Sequence, residues 1–245
     1  MKFPKLKYSA DKPAPAAQAS TGEDQAQPRK HLFSAVAVAA TLALANPAYA
    51  NYLWLEKDAA AKGAFKVFSG ELEKPDRALP QIDMPRAFPA DAAAPESNSL
   101  PLTPQPDHLQ IDAARVAGDL RFSARQVSVK EGGKNALVIY QARYGRAETK
   151  AVNDLELVPT TPGGNTFKLM WKGNAVAASQ VNVETSEGWR RVLKPGADGT
   201  VTMETPFPGL YVMEVTARIN GTVTIDGKQY EDVRHVATLS FEVAR

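Results

Sequence analysis

Residues 209–219, with the sequence GLYVMEVTARI, decide the predicted fold class. Two sets of side chains alternate along them: Tyr211, Met213, Val215, Ala217 and Ile219 on one face of an extended strand, and Glu214, Thr216 and Arg218 on the other. A period of two is typical of an antiparallel strand that is buried on one side. Residues 237–243, ATLSFEV, repeat the pattern, so we expect at least two such strands near the C-terminus.

Shorter stretches of the same kind run from Tyr52 onward, and turn-forming pairs such as Gly132-Gly133 and Asp226-Gly227 separate them. No amphipathic helix longer than about ten residues is evident. Short strands between frequent turns are typical of a β-sandwich. We therefore predict an all-β protein of two Ig-like or transthyretin-like β-sandwich units, residues 51–156 and 157–245.

A proline-rich segment interrupts the first predicted unit. Residues 75–106 contain eight of the 18 prolines in the chain. Proline removes a hydrogen-bond donor from the ladder and fixes φ, so a central strand is disfavoured there. We expect a long loop on the surface.

The N-terminal 50 residues have the pattern of an export signal. A polar segment, residues 1–30, ends in Arg29-Lys30, and an apolar stretch follows and closes with Ala48-Tyr49-Ala50. A basic start, an apolar core and an A-x-A exit describe a secretory signal peptide at 31–50. The alternative is an anchoring helix, but Asn46-Pro47 interrupts the apolar stretch. We expect cleavage and a periplasmic protein, with an extracellular location left open.

Composition excludes several classes of site. The chain has no cysteine and three histidines, which rules out disulfides, thiolate metal sites and a histidine-rich cage. Without the six Lys/Arg and three Asp/Glu of residues 1–50, 23 basic and 24 acidic side chains remain, a net charge of −1. A near-neutral chain gives no electrostatic basis for nucleic-acid binding. No nucleophile elbow, phosphate loop, dinucleotide motif or zinc-protease motif is present, so we expect no enzyme.

Three residues are candidate metal ligands. Asp107 and His108 place a carboxylate beside an imidazole, and His235 lies near two acidic residues, so Ni, Co or Cu could be bound if the fold brought them together. The structural alternatives are a solvated loop histidine at 108 and a hydrogen-bonded core histidine at 235. Three tryptophans, Trp54, Trp171 and Trp189, could instead stack on a sugar or pack in the core.

A resemblance covers most of residues 51–245. Its motifs are NYLWLE at 51–56, LVPTTPGGNTF at 157–167 with WKG at 171–173, GTVTM at 199–203, PGLYVMEV at 208–215 and ATLSFEV at 237–243. In this order they resemble a secreted bacterial family of unknown function that is similar to the periplasmic component of nickel/cobalt uptake transporters.

This resemblance implies a pair of periplasmic β-sandwiches with a link to metal-ion uptake. In that family the first mature residue is typically histidine within an A-H-x-x-W-L pattern, whereas this chain has Asn51 there. The leading expectation is a periplasmic, non-enzymatic accessory or binding protein, associated with an envelope protein or a membrane transporter. A structural or protein-interaction module and a carbohydrate-binding module are the alternatives.

Overall fold

The computed structural model describes residues 51–89, 98–178 and 180–244. The predicted polar segment 1–30 and signal peptide 31–50 lie outside these residues, as does part of the proline-rich segment, 90–97. All the regular secondary structure in the described ranges is β-strand, which confirms the predicted all-β class. Within those ranges no helix has the length and apolar character needed to cross a membrane.

The strands are mostly short and follow one another closely. In chain order they are β1 (Tyr52–Lys57), β2 (Ala64–Glu71), β3 (Lys74–Pro75), β4 (Asp83–Pro89), β5 (Leu102–Pro104), β6 (Leu109–Asp112), β7 (Leu120–Val129), β8 (Asn135–Tyr144), β9 (Leu155–Pro159), β10 (Thr166–Trp171), β11 (Asn174–Val176), β12 (Val181–Thr185), β13 (Arg190–Leu193), β14 (Thr200–Thr202), β15 (Gly209–Ile219), β16 (Val223–Ile225), β17 (Lys228–Tyr230) and β18 (Asp232–Val243).

Seven strands form a central sheet, called sheet II here, in the order β13-β12-β15-β18-β8-β7-β4. Neighbouring strands are antiparallel except β18 and β8, which pair in parallel from Asp232 opposite Ala136 to Ser240 opposite Tyr144. The longest antiparallel pairing joins β15 to β18 along the whole of β15. The two strands that the alternation predicted, β15 and β18, therefore lie at the centre of sheet II.

Sheet II is covered on both faces. Sheet I, made of β1, β2, β3, β5 and β6, shares a core with Leu210 and Val212 of β15. Sheet III, made of β9, β10, β11 and β14, shares a second core with Tyr211 and Met213 of the same strand. Because successive side chains of a strand point to opposite faces, the fold is a sandwich of three layers.

The face predicted to be polar is therefore buried as well. Thr238 donates a hydrogen bond to the carbonyl oxygen of Leu53 at 2.7 Å, and Ser240 donates one to that of Leu55 at 2.6 Å. These bonds join β18 to the backbone of β1 and satisfy hydroxyl groups that would otherwise be costly to bury. The expectation of strands buried on one side only is wrong for β18 and for the first half of β15, whereas Thr216 and Arg218 in the second half of β15 are exposed as predicted.

The predicted boundary between residues 156 and 157 does not divide the sheets. Sheet II takes β4, β7 and β8 from residues 51–156 and its other four strands from 157–245. The parallel pairing of β8 with β18 joins the two halves, and a parallel pair needs a long crossover that no local turn signal reveals. The finer assignment to Ig-like or transthyretin-like units is not confirmed by this topology.

The proline-rich segment is not one long loop. It contains β4, the edge strand of sheet II, and β5 of sheet I. Pro85 and Pro89 are tolerated in β4 because an edge strand has one side free of ladder bonds. The register of β4 against β7 shifts between Asp83 and Arg86, which marks a β-bulge beside Pro85.

The hairpin of β16 and β17 forms a small third core. Ile225 and Tyr230 of the hairpin pack with Leu137 of β8 and Val233 of β18. These positions of β8 and β18 point to the sheet III side of sheet II. The hairpin therefore covers a part of that face which sheet III does not reach.

Candidate functional site

Asp107 and His108 lie in the turn between β5 and β6 of sheet I. His108 Nδ1 is 2.7 Å from Asp107 Oδ1, and His108 Nε2 is 3.2 Å from Gln110 Oε1. The imidazole also packs against Phe68, with ring centroids 5.4 Å apart. The hydrogen bond between His108 and Asp107 lowers the pKa of the Asp107 carboxyl. Both ring nitrogens are thus engaged by oxygen atoms of the protein.

His235 is fully buried in β18 and lies on the sheet III face of sheet II, as do Ala237 and Leu239. Its Nδ1 is 3.1 Å from Gln141 Oε1, and the same oxygen accepts the backbone N–H of Leu155 at 3.1 Å. Of the two ends of the Gln141 amide only the carbonyl oxygen can accept the Leu155 N–H, so this atom also accepts from His235, and we place the ring proton on Nδ1. Nε2 then carries a lone pair, and no hydrogen-bond partner meets it among the described residues.

The surroundings of His235 keep its ring neutral. Burial lowers the pKa of His235 to about 4, and the positive charges of Lys172 and Arg125 act in the same direction. Trp171 meets the imidazole edge-on, with ring centroids 4.7 Å apart. This is the hydrogen-bonded core histidine that was the structural alternative for position 235.

The predicted metal ligands are not brought together. Asp107 and His108 belong to sheet I, whereas His235 lies on the face of sheet II that sheet III covers. No three His, Asp or Glu side chains of the described ranges form a group that could hold a metal ion. Asn51 is exposed before β1 and offers an amide in place of an imidazole. These residues do not fit a transition-metal centre.

The three tryptophans also lie apart. Trp54 is buried between sheets I and II and stacks on Phe68 at 5.6 Å. Trp171 contacts His235, and Trp189 meets Phe207 edge-on at 6.2 Å. The paired tryptophans on an open face that a sugar platform requires are not formed by these rings.

Two buried carboxylates lie on the sheet I side of sheet II. Glu184 accepts a hydrogen bond from Tyr52 Oη at 2.9 Å. Glu214 accepts bonds from Asn182 and Thr216, both at 2.6 Å, and burial raises its pKa. Their hydrogen-bond partners come from sheets I and II, so the arrangement ties these layers together.

A cavity of about 170 Å³ lies on the other face of sheet II. Its walls are the loop before β9, with Val152, Asn153 and Asp154, and the β16–β17 hairpin, with Ile225. Its floor is formed by side chains of β4, β7 and β8, among them Arg86, Phe88, Ser123, Arg125, Ile139 and Gln141. The cavity thus occupies the gap between the loop before β9 and the hairpin.

Two residues of the cavity lining, Asn153 and Arg86, each carry a buried donor that has no hydrogen-bond partner in the described ranges. Asn153 is 7% exposed, and no acceptor in the described ranges meets its Nδ2. The same is true of Nε of Arg86. A buried donor without a partner costs about 1–3 kcal/mol, and such groups are rare in folded proteins. The cavity of about 170 Å³ is large compared with the 10–15 Å³ or so that one water needs, but these two atoms are buried away from it.

A buried ion network fixes the wall that carries Asn153. Glu156 Oε2 accepts the backbone N–H groups of Val152 at 2.9 Å and Asn153 at 2.8 Å. Its Oε1 accepts Arg121 Nη2 and Arg143 Nη1, each at 2.9 Å, and both arginines are fully buried. The charge of Glu156 is thereby neutralised, and the loop is held against β7 and β8.

The network extends to Asp119, which lies before β7, and to the first part of the loop between β8 and β9. Asp119 and Glu148 complete the pairing of the two arginines, Asp119 with Arg143 and Glu148 with Arg121. Asp119 also accepts the backbone N–H groups of Ala147 and Glu148. Residues 147–156 are thus anchored at several points, which makes the cavity wall a preformed structure rather than a loop that must be ordered by a ligand.

The floor is shaped by the bulge in β4. Met84 adopts a φ of 52°, in the left-handed region that residues other than glycine rarely visit. A bulge of this kind redirects the side chains that follow it and is common beside functional sites. Here it precedes Arg86, the residue with the unpartnered Nε.

None of these cavity residues was predicted from the sequence. Arg86 lies in the segment expected to be a loop, and Asn153 with Asp154 has the pattern of an ordinary turn. They meet only because β4 pairs with β7 at the edge of sheet II and the loop before β9 folds over both. The unusual proline-containing edge strand was the one local signal near the site.

Comparison with known proteins adds no family. No protein-family model matches the chain, and no curated protein does. The resemblance described from the motifs of residues 51–243 therefore stays a prediction.

Proposed function

We propose that the protein is a non-enzymatic binding protein of the bacterial periplasm that holds a small ligand in the cavity between the loop before β9 and the β16–β17 hairpin. The observation that carries the proposal is the cavity itself, an open volume of about 170 Å³ in which Arg86, Arg125 and Asp154 lie among apolar side chains. The rigid wall supports it, because a preformed pocket loses little entropy on binding. The periplasmic address rests on the sequence of residues 31–50.

A link to nickel or cobalt uptake rests on the sequence resemblance alone. Metal binding through Asp107, His108 and His235 has no support in the geometry, since the first two lie in sheet I and the third is on the far face of sheet II. An accessory protein can serve a transporter without binding its metal. The proposed ligand site is therefore independent of that link.

Nuclear magnetic resonance of the side-chain amides tests the proposal. A mixture of small acids, amines and neutral amides is expected to shift the Asn153 side-chain signals. Ser123→Phe, which fills the cavity from the floor, should abolish the shifts, whereas Ser128→Phe on the exposed end of the same strand should not. If no compound of any charge moves the Asn153 signals, the cavity is not a binding site.

A second candidate, the protein-interaction module, is favoured by one edge of sheet II. β13 is the end strand of that sheet, and Val192 on it is 59% exposed. A partner strand from an envelope protein or membrane transporter could pair with such an edge. A photo-crosslinker at Val192, but not at Val129, which is at least as exposed, should then capture one specific envelope protein; equal capture at both sites argues against an edge partner.

A further inference from the structure

We infer that Lys130, Arg218 and Arg234 form a binding site for a phosphate monoester group, on the face of sheet II opposite the cavity. This second site goes beyond the proposed function and does not depend on the cavity ligand. The three cations come from separate segments: the turn after β7, the end of β15 and the start of β18. They meet at the carboxylate of Asp232, and the four side chains are called the Asp232 cluster here.

Two arginines of the cluster lie directly opposite each other. Arg218 and Arg234 are partners in the β15–β18 ladder. Because side chains alternate between the faces of a strand, these arginines share the face of Val212 and Val236, which belong to the core between sheets I and II. Sheet I does not cover this end of the face, since Arg218 is exposed. Like charges opposite each other in a ladder repel, so the pair needs negative charge beside it.

Asp232 supplies one negative charge to the three cations. Its Oδ1 accepts Arg218 Nε at 2.8 Å, and its Oδ2 accepts Arg234 Nη2 at 3.3 Å. Lys130 Nζ also donates to Oδ2. These cations form no other ion pair in the described ranges. Three positive charges thus surround one carboxylate, and a net charge of +2 remains.

The neighbouring acidic residues do not pair with the cluster. Glu231 accepts the backbone N–H of Asn135 at 2.7 Å. Glu214, on the same face of β15, is buried and accepts hydrogen bonds from Asn182 and Thr216. The uncompensated positive charge is therefore local to the cluster.

The depth of the groups decides what an incoming ligand meets. The side chain of Asp232 is 7% exposed, whereas those of the three cations are between 39% and 60% exposed. The carboxylate thus lies beneath the cations, with both of its oxygens engaged. An anion from the solvent meets a rim of positive charge that Asp232 already holds in place, which reduces the entropy lost on binding.

The remaining donors and the net charge fit a phosphate monoester. Arg218 uses only Nε on Asp232 and Arg234 only Nη2, so each guanidinium keeps two nitrogens for another acceptor. A phosphate monoester carries a charge of about −1.5 to −2 near neutral pH and presents three acceptor oxygens. A carboxylate or a phosphate diester carries a single negative charge. The monoester therefore matches both the number of cations and the charge that Asp232 leaves uncompensated.

Nuclear magnetic resonance of the arginine Nε–H groups of the full chain tests the inference. Methyl phosphate should shift the signals of Arg218 and Arg234. It should bind at least about threefold more tightly than dimethyl phosphate or acetate, a difference in the range of solvent-exposed ion pairs. Sodium chloride should weaken this binding, because exposed charges are screened. If methyl phosphate shifts neither signal, or if the three anions bind equally well, the inference is wrong.

A matched set of variants locates the contact. Arg218→Gln and Arg234→Gln should each weaken methyl phosphate at least about threefold. Arg191→Gln, which removes another exposed arginine, should leave the affinity unchanged. Thermal melting checks that all three variants fold. Unchanged affinity in both cluster variants would overturn the site.

Vesicles distinguish the two sources of such a group. Phosphatidylcholine vesicles that contain phosphatidic acid expose a phosphate monoester, whereas those that contain phosphatidylglycerol expose a diester. Binding to the first kind alone, lost in Arg218→Gln, identifies a lipid headgroup, and binding of methyl phosphate without vesicle binding identifies a soluble ester. Equal binding to both kinds of vesicle would contradict a monoester site. Failure here leaves the cavity proposal untouched, because the cavity lies on the other face of sheet II.

Discussion

The buried histidine makes the stability of the protein depend on pH in a calculable way. Burial lowers the pKa of His235 to about 4 in the folded protein, from 6.5 in the unfolded chain. Between these values the unfolded state binds more protons than the folded state, so the free energy of unfolding falls as the pH falls. The contribution of His235 is complete above pH 6.5 and is lost progressively toward pH 4.

The magnitude follows from the same two values. A shift of one pKa unit corresponds to about 1.36 kcal/mol, so the difference amounts to roughly 3 kcal/mol across the interval. The structure supports a large value because the protonated ring would place an N–H at Nε2 where no acceptor of the described residues lies. Arg125 and Lys172 would repel the added charge.

Urea unfolding at several pH values between 4 and 7.5 measures this term. Carboxylates also titrate in the lower part of the range, so the wild type is compared with His235→Gln, which keeps a donor for Gln141 Oε1 but does not titrate. The difference in free energy of unfolding between the wild type and His235→Gln should change by roughly 3 kcal/mol, mostly between pH 6.5 and pH 4. The control variant His108→Gln keeps His235, so its free energy of unfolding should fall with pH as steeply as that of the wild type. Parallel curves for the wild type and His235→Gln would refute the argument.

Three further changes test the contacts that hold the layers together. Glu156→Gln breaks the buried ion network and should lower the free energy of unfolding by about 3–5 kcal/mol in urea titrations, whereas the exposed Glu204→Gln should change it by less than about 0.5 kcal/mol. Thr238→Val removes the bond from β18 to the β1 backbone and should cost about 1 kcal/mol, with faster hydrogen exchange in β1; no change in exchange would show that the bond does not hold sheet I. Gly145→Ala puts a Cβ against the Asp119 carboxylate at a φ of 104° and should lower the melting temperature clearly; a stable variant would mean that this loop can move.

The class of fold was predictable from the sequence, but the number of layers was not. Alternation in residues 211–219 identified one buried face and a strand. The residues between, Leu210 and Val212, are apolar too, and this local run of apolar side chains is the signal of a strand covered on both sides. This apolar run is short, so in the sequence it looks like the beginning of an alternating strand. Which sheet covers each face depends on pairings between distant segments.

The site was less predictable than the fold. His235 was a candidate metal ligand, with a core position as the alternative, and the structure shows the core position because the alternation of β18 directs its side chain inward. Residues that form the cavity come from three strands, one loop and one hairpin, and their types are unremarkable one by one. An arginine such as Arg86 looks solvated in a proline-rich sequence. Only the pairing of β4 with β7 shows that Arg86 Nε is buried and that no hydrogen-bond partner meets it in the described ranges.

The position of β18 at the centre of sheet II has a consequence for the order of assembly. This strand lies between β15 and β8, and it is the last strand of the described chain. Before it is added, the sheet consists of two separate pieces, β13-β12-β15 and β8-β7-β4, each with an open edge that could pair wrongly. Gln141 in the cavity floor meets His235 from 94 positions away, so contacts of this kind form late and slowly. A chain that folds from its N-terminus would therefore complete sheet II only once β18 is added, and the two half-sheets would need protection until then.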